Sequence, residues 1–240
     1  MNAKAFSSAI RLKEALTLAE IPHDWDEGSN DSLISRIRME MTRKYLQESS
    51  YTAMAWFDAD IEYTAEDVAK CWNLICMGAD IAVGVYAMKV PGKDWYSAWV
   101  DGKLISNLDQ FKEPMAVDYA GTGFMFIKRT ALEKIVALLQ RKHLIAKAVR
   151  ESALHNKIDP PELYLSVLDE MVDAMAWSYE GPEGRSPALY TTPIYKDGFE
   201  SEDYHFCRIA REAGLTITMD PNVRLKHWGQ YPYGCKQEGA

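Results

Sequence analysis

The sequence predicts an α/β fold with a mixed, mostly parallel sheet flanked by helices. Two apolar runs, over residues 51–57 and 81–88, have the composition of strands that are buried on both faces. A third run, over 124–128, follows a glycine-containing turn. Helical patterns separate these runs, and a late hairpin favours a mixed sheet over a purely parallel one.

Length and composition predict one globular domain over residues 1–240, with an elaboration at about 150–195. No window approaches the roughly 18 apolar residues of a membrane span, and charges interrupt the apolar positions at the N-terminus, which argues against a signal peptide. The four cysteines lack zinc-like spacing and predict free thiols in the cytoplasm. The net charge of −8 argues against broad binding to nucleic acid, but not against a local basic groove.

The N-terminal part alternates between helical and extended patterns. Residues 3–20 carry apolar side chains at helical spacing, and a short strand is predicted near 21–25. A polar loop then leads to a helix over 32–48, in which apolar residues recur every four positions. After the first buried strand, Thr64 and Asp67 have the spacing of a capping box and predict the start of a third helix.

The C-terminal part adds a hairpin and further helices. Asp101-Gly102 favours a tight hairpin turn, because both positions tolerate positive φ. A second capping box, beginning at Thr130, predicts a long helix. A helix over 201–213 is followed by Gly214, which lies where a C′ glycine belongs, and then by a short strand.

Two aspartates follow the first buried strand directly. Asp58 and Asp60 are separated by one residue, and ligands of open α/β sheets bind at the carboxyl ends of strands. Paired carboxylates there can hold a divalent cation, which in turn can hold phosphates. The alternative is that they only end the strand and begin a turn. This stretch alone leaves both interpretations open.

Four segments in order, FDADIEY, DYAGTGFMFIKR, SEDYHFCR and DPNVRLKHWG, resemble the GT-A-fold nucleotide-sugar glycosyltransferases. The likeness is to small viral, phage and bacterial members, and it covers roughly residues 30–90 and 118–230. It implies a GT-A fold and metal-dependent transfer of a sugar, hexosyl in the expected case, from a nucleoside-diphosphate sugar to an acceptor hydroxyl. A UDP-sugar donor, Mn²⁺ or Mg²⁺, and inversion at the anomeric carbon are the favoured expectations.

The resemblance also implies a metal site. Asp58 and Asp60 match the DxD motif that binds the cation under the donor diphosphate, with Asp60 as the direct ligand and Asp58 facing the ribose or acting through water. His227 matches a C-terminal histidine that completes the metal site in several members. The alternative for His227 is a surface or aromatic-packed histidine beside Trp228.

Asp203 and Glu202 match an acidic motif at a helix start, in which the second acid of inverting members accepts the acceptor's proton. Carboxylates at that position also simply cap a helix. Gly121-Thr122-Gly123 matches a turn that lets the backbone approach the donor or acceptor closely, or it is only a tight turn into a strand.

Arg38 and Lys89 are predicted on the donor side, near the diphosphate, with solvated surface charges as the alternative. The chain departs from the family where it begins, because its first clear element is a helix instead of a strand that cradles the nucleobase. The sheet is therefore expected to lack a complete first strand and to leave a neighbouring edge open.

Two other functions compete with this one. A sugar- or partner-binding module would keep the fold without the chemistry, and a haloacid-dehalogenase-type phosphatase would use the first aspartate of a DxD as nucleophile. The phosphatase interpretation is weak, because Ile61-Glu62 follows the motif and no late GDxxxD pattern is present.

The acceptor stays open among a polysaccharide, a lipid-linked sugar, a protein and a modified DNA base. The resemblance to viral members extends the cytoplasmic expectation to an infected host cell. Trp177, Tyr179 and Tyr190 are candidates for stacking on an acceptor, with core packing as their alternative.

Overall fold

The computed structural model describes residues 2–28, 33–93, 95–155, 179–181, 184–186, 189–195, 198–229 and 232–233. The chain forms two compact units. The first contains Met1–Trp25, Tyr51–Ala131 and Ala210–Ala240, and the second contains Asp26–Ser50 and Leu132–Ile209.

The described helices are α1 (Ala3–Leu18), α2 (Ile34–Glu48), α3 (Ala65–Cys76), α4 (Arg129–His155) and α5 (Glu202–Glu212). The described strands are β1 (Ala53–Phe57), β2 (Ile61–Glu62), β3 (Ile81–Tyr86), β4 (Ala98–Val100), β5 (Lys103–Leu104), β6 (Met115–Ala116), β7 (Tyr119–Ala120), β8 (Phe124–Lys128), β9 (Tyr179–Gly181), β10 (Gly184–Ser186), β11 (Ile194–Tyr195), β12 (Gly198–Phe199), β13 (Ile217–Trp228) and β14 (Pro232–Tyr233).

The sheet of the first unit is mixed, with the strand order β1-β8-β3-β13-β14, and β2 and β6 also pair with β13. The prediction of mostly parallel pairing is wrong: among the described pairs of this sheet, only β3 with β13 is parallel. The cause is β8, which lies between β1 and β3 and runs antiparallel to both. Strands β1, β3 and β13 therefore still point the same way.

The two strands that were predicted to be buried on both faces, β1 and β3, differ in how far they are buried. Every residue of β3 is buried, as predicted. In β1 only Trp56 is buried, and its neighbours are half-buried. The difference follows from position, because β3 lies between two strands whereas β1 is last in the described strand order. The C-terminal strand is longer than the predicted short one, with a register shift between Met219 and Arg224.

The core of the first unit lies between the sheet and helices α1 and α3. Phe57 is central to it: the ring stacks on Tyr63 at 4.8 Å and packs against Phe124 at 5.3 Å. Helix α3 begins with the predicted capping box, in which Thr64 and Asp67 each accept a hydrogen bond from the other's backbone N–H. This fixes where the chain turns from the sheet edge back across the core.

Two further local predictions in the first unit are decided by backbone conformation. The turn between β4 and β5 has φ of +50° at Asp101 and +70° at Gly102, as a tight hairpin requires. Gly214 ends α5 with φ of +74°, which confirms its predicted role. The predicted strand near 21–25 is absent, since residues 21–28 form neither helix nor strand.

The second unit is built from α2, most of α4 and the start of α5, with two short hairpins. Tyr190 stacks on Phe206 at 4.9 Å, and both rings are fully buried, so Tyr190 is a core residue. Helix α4 already begins at Arg129, so Thr130 lies inside the helix instead of capping it. The predicted helix at 162–177, Trp177 and most of the elaboration lie outside the described residues; Tyr179 lies in β9.

Candidate functional site

Polar side chains from four parts of the first unit meet at one edge of the sheet. The edge is where β1, β3 and β13 end, and where the antiparallel β8 begins. Asp58 and Asp60 follow β1, Lys89 follows β3, His227 lies near the end of β13, and Gly121-Thr122-Gly123 precedes β8. The carboxyl edge of a sheet is the usual ligand-binding edge of α/β folds.

The backbone fixes the DxD segment as a turn that crosses from β1 to β13. The Asp58 N–H donates to the Gly123 carbonyl at 2.9 Å, and the Ile61 N–H donates to the Asp58 carbonyl at 3.1 Å. The Trp228 N–H then donates to the Asp60 carbonyl at 2.8 Å, and Ile61 pairs with His227 in the β2–β13 ladder. These hydrogen bonds place Asp60 beside the C-terminal end of β13.

Helix α1 supports the same turn from its other side. The Asn2 N–H donates to the Ala59 carbonyl at 2.9 Å, and the Asn2 side chain caps α1 by accepting from Lys4. The buried Ser8 hydroxyl accepts from the Tyr63 N–H at 3.1 Å. The described part of the chain before β1 contains helices and no strand, so α1, and not a strand, supports this turn.

One oxygen of the Asp60 carboxylate faces two nitrogen donors. Its Oδ2 is 2.5 Å from Lys89 Nζ and 3.5 Å from His227 Nε2. Partial burial by itself raises the pKa of Asp60, but the hydrogen bonds and charges of His227 and Lys89 outweigh burial and lower the pKa from 3.8 to about 2. Asp60 is therefore an anion at any physiological pH.

His227 is oriented by a backbone carbonyl. Its Nδ1 lies 3.0 Å from the Ala87 oxygen, which can only accept, so Nδ1 carries the proton. The other ring nitrogen, Nε2, faces Asp60 Oδ2 at 3.5 Å. This is the arrangement of a metal-binding histidine, whose second nitrogen is usually held by a carbonyl or carboxylate.

Asp60 and His227 fit a shared divalent cation. Two ligand atoms about 2.1 Å from one ion, about 90–110° apart, are roughly 3.0–3.4 Å from each other, close to the 3.5 Å observed. The Lys89 ammonium also shows that a cation is accommodated at this oxygen. Within the described ranges, however, no three His, Cys, Asp or Glu side chains form a metal-holding group, so Asp58 does not join the other two.

Asp58 lies on the other side of the turn, beside Gly123 and Tyr86. A Cβ at Gly123 would be 2.9 Å from Asp58 Oδ2 and 3.0 Å from the Tyr86 hydroxyl, and one at Gly121 would be 2.1 Å from that hydroxyl. The Gly123 N–H donates to the Tyr86 hydroxyl at 3.2 Å. Thr122, between the glycines, is buried. The glycines are therefore required by the close approach of Tyr86.

Tyr86 is the residue of this site that the sequence analysis missed. Its ring contacts His227 edge-on at 5.0 Å, and its hydroxyl reaches the glycine turn, so it joins the two halves of the site. The available signal was its position: it is the last residue of a buried strand and carries the first hydroxyl of that apolar run. Such a residue is placed to reach the ligand edge of a sheet.

The predicted acidic motif and Arg38 lie in the second unit. Glu202 is the first residue of α5, and its carboxylate is 3.3 Å from the guanidinium of Arg38, which is only 3% exposed. Asp203 accepts hydrogen bonds from the Ser201 hydroxyl and from the Tyr204 N–H. Contact of Arg38 with a diphosphate and proton transfer to Asp203 stay predictions.

Comparison with solved structures gives the fold. The crystal structure of A197 from STIV matches with a TM-score of 0.50 and 16% sequence identity, over 96% of this chain and 89% of A197. No protein-family model matches the chain, and no curated protein sequence does so. A likeness at this identity concerns the fold alone. Across the described residues, no helix has the length and hydropathy needed to cross a membrane.

We predict that Gly121 and Tyr86 are energetically coupled. Gly121→Ala should lower the free energy of unfolding by about 1–3 kcal/mol, because the new methyl group overlaps the Tyr86 hydroxyl. Tyr86→Phe alone should cost about 0.5–1.5 kcal/mol through its lost hydrogen bond. The second change removes the nearer of the two overlapping Tyr86 atoms, the hydroxyl oxygen at 2.1 Å, and leaves Cζ at 2.8 Å. The double variant should therefore recover part of the cost and be more stable than the sum of the two single changes predicts. Urea unfolding of the four proteins measures the coupling, and strictly additive costs would contradict the contact.

Proposed function

We propose that this protein is a metal-dependent glycosyltransferase of the GT-A type, which moves a sugar from a nucleoside-diphosphate sugar, preferably a UDP-sugar, to an acceptor hydroxyl. The observation that carries the proposal is the convergence of Asp60, His227 and Lys89 at the carboxyl edge of the sheet. The order of the four sequence segments supports it.

The three side chains suit a diphosphate bound through a cation. Asp60 and His227 would hold Mn²⁺ or Mg²⁺, and carboxylate, imidazole and phosphate ligands together favour Mn²⁺. When bound, the ion would neutralise negative charge that develops on the leaving diphosphate. Asp58 would face the ribose or act through water, consistent with its position beside Gly123. The Gly121–Gly123 backbone, free of side-chain bulk, would line the donor sugar.

The transfer itself needs a proton acceptor. In the proposed reaction the acceptor oxygen forms a bond to the anomeric carbon while the bond from that carbon to the diphosphate breaks. The hydroxyl proton passes to Asp203, and the nucleoside diphosphate leaves. The configuration at the anomeric carbon of the transferred sugar is inverted. This assignment rests on the sequence resemblance. The Arg38–Glu202 ion pair favours an orienting role for Glu202, because its carboxylate is already paired.

We predict that donor turnover requires the cation and Asp60. Release of UDP from a screen of UDP-sugars should stop with excess chelator and return best with Mn²⁺. Asp60→Ala should remove nearly all of that activity, because it deletes the only carboxylate next to His227 Nε2 in the described site.

Asp26→Ala is the matched control for Asp60→Ala. Asp26 also pairs with a lysine, at 2.9 Å, and its side chain is 48% exposed against 38% for Asp60. It should keep full activity and the same melting temperature. Full turnover in excess chelator would contradict the proposal. Nucleotide binding without any turnover would instead favour the binding-module alternative.

We predict that Asp203 contributes as a general base. Asp203→Asn keeps the oxygen that accepts from Ser201 and Tyr204 but loses basicity, so acceptor transfer should fall by about 10²–10⁴-fold with Mn²⁺-dependent UDP binding nearly intact. Glu202→Gln should cost less. Transfer at near wild-type rate by Asp203→Asn, or a product that retains the donor's configuration, would leave Asp203 only a helix cap.

A further inference from the structure

The Lys89 ammonium occupies the same carboxylate oxygen that a cation would need. Its Nζ is 2.5 Å from Asp60 Oδ2, and His227 Nε2 approaches that same atom. The sequence resemblance predicts Lys89 near the diphosphate, and the proposed function uses Asp60 as a metal ligand. In the structure the two side chains instead contact each other. Both roles therefore require the Lys89–Asp60 contact to open.

The contact has the properties of a displaceable one. Lys89 is 37% exposed and Asp60 is 38% exposed, so both groups are reached by water and by dissolved ions. Exposed ion pairs contribute little net free energy. The lysine stem is long and flexible, so its ammonium can leave one anion for another nearby without a change in the backbone. Asp60, by contrast, is held by the backbone hydrogen bond from Trp228.

We propose that Lys89 is a tethered counter-ion for Asp60 that a divalent cation displaces, and that the freed ammonium then binds the diphosphate. The second half rests on the proposed function; the first half needs only the cation. Because the ammonium competes with the metal for one oxygen and repels it, Lys89 weakens metal binding in the nucleotide-free protein. Because it is released next to the phosphates, it strengthens nucleotide binding once the metal is present.

These two effects have opposite signs, which separates the proposal from a purely structural ion pair. Loss of a structural ion pair would leave Asp60 less well placed, and the binding of metal and of nucleotide would both become weaker. Loss of a competing counter-ion instead makes metal binding tighter and nucleotide binding weaker. Removal of the Lys89 ammonium should therefore improve metal binding, the first step of the proposed function, and impair nucleotide binding, the second step.

The test is Mn²⁺ binding to the full chain without nucleotide, followed by the electron paramagnetic resonance signal of free Mn²⁺. Lys89→Met should bind Mn²⁺ roughly two- to fivefold more tightly than the unchanged protein, as expected for removal of an exposed ion pair. At saturating Mn²⁺ it should bind UDP about three- to tenfold more weakly in calorimetry. Lys89→Gln should behave in the same way, which covers the case in which Lys89→Met folds poorly.

Lys93→Met is the matched control, because Lys93 is in the same loop but lies over the Trp95 ring at 5.5 Å. It should leave both affinities unchanged, and Asp60→Asn should abolish Mn²⁺ binding in the Lys89→Met background. Unchanged or weaker Mn²⁺ binding by Lys89→Met, or no Mn²⁺ binding by either protein, overturns the proposal. Tighter Mn²⁺ binding without any UDP binding would instead uphold the counter-ion and refute the proposed function.

Discussion

The site depends on one constraint: the turn from Asp58 to Ile61 is held at the sheet edge by backbone hydrogen bonds from three distant parts of the chain. The N–H groups of Asn2 and Trp228 donate to the carbonyls of Ala59 and Asp60, and the Asp58 N–H donates to Gly123. Because all three bonds are made by the main chain, they fix the position of the turn regardless of its side chains. None of these three bonds uses an aspartate side chain.

The electrostatics of the edge follow from this fixed position. Asp60 is kept ionised by the Lys89 ammonium and by His227, whose tautomer is set by the Ala87 carbonyl. One carboxylate oxygen with two nitrogen groups around it is the arrangement on which the proposed cation and phosphate site rests. Tyr86 joins the two sides of the site, because its ring packs on His227 and its hydroxyl accepts a hydrogen bond from the glycine turn.

The sequence predicted those parts of the fold whose signal is local. Four predictions of this kind depend on only a few neighbouring residues, and the structure confirms them. They are the capping box of Thr64 and Asp67, the turn at Asp101-Gly102, the C′ position of Gly214 and the burial of β3. Features that depend on distant pairing were not accessible. Insertion of β8 between β1 and β3, and the long irregular β13, arise from strand pairing across the chain. Thr130 has the same local pattern as Thr64, but α4 already starts one residue earlier. Likewise, the sequence marked Asp60, Lys89 and His227 separately, whereas the role of Tyr86 appears only once β3 and β8 are neighbours.

The proposed function requires the edge formed by Asp60, Lys89 and His227 to bind a divalent cation together with a nucleoside diphosphate. Paramagnetic broadening by Mn²⁺ in the ¹H–¹⁵N spectrum of the full chain, recorded with UDP present, tests it most directly. We expect the amides of Asp60, Lys89 and His227 to lose intensity at the lowest Mn²⁺ concentrations, and we expect chelator to restore them. Intact signals from these amides, at Mn²⁺ concentrations that broaden others in the chain, would contradict it.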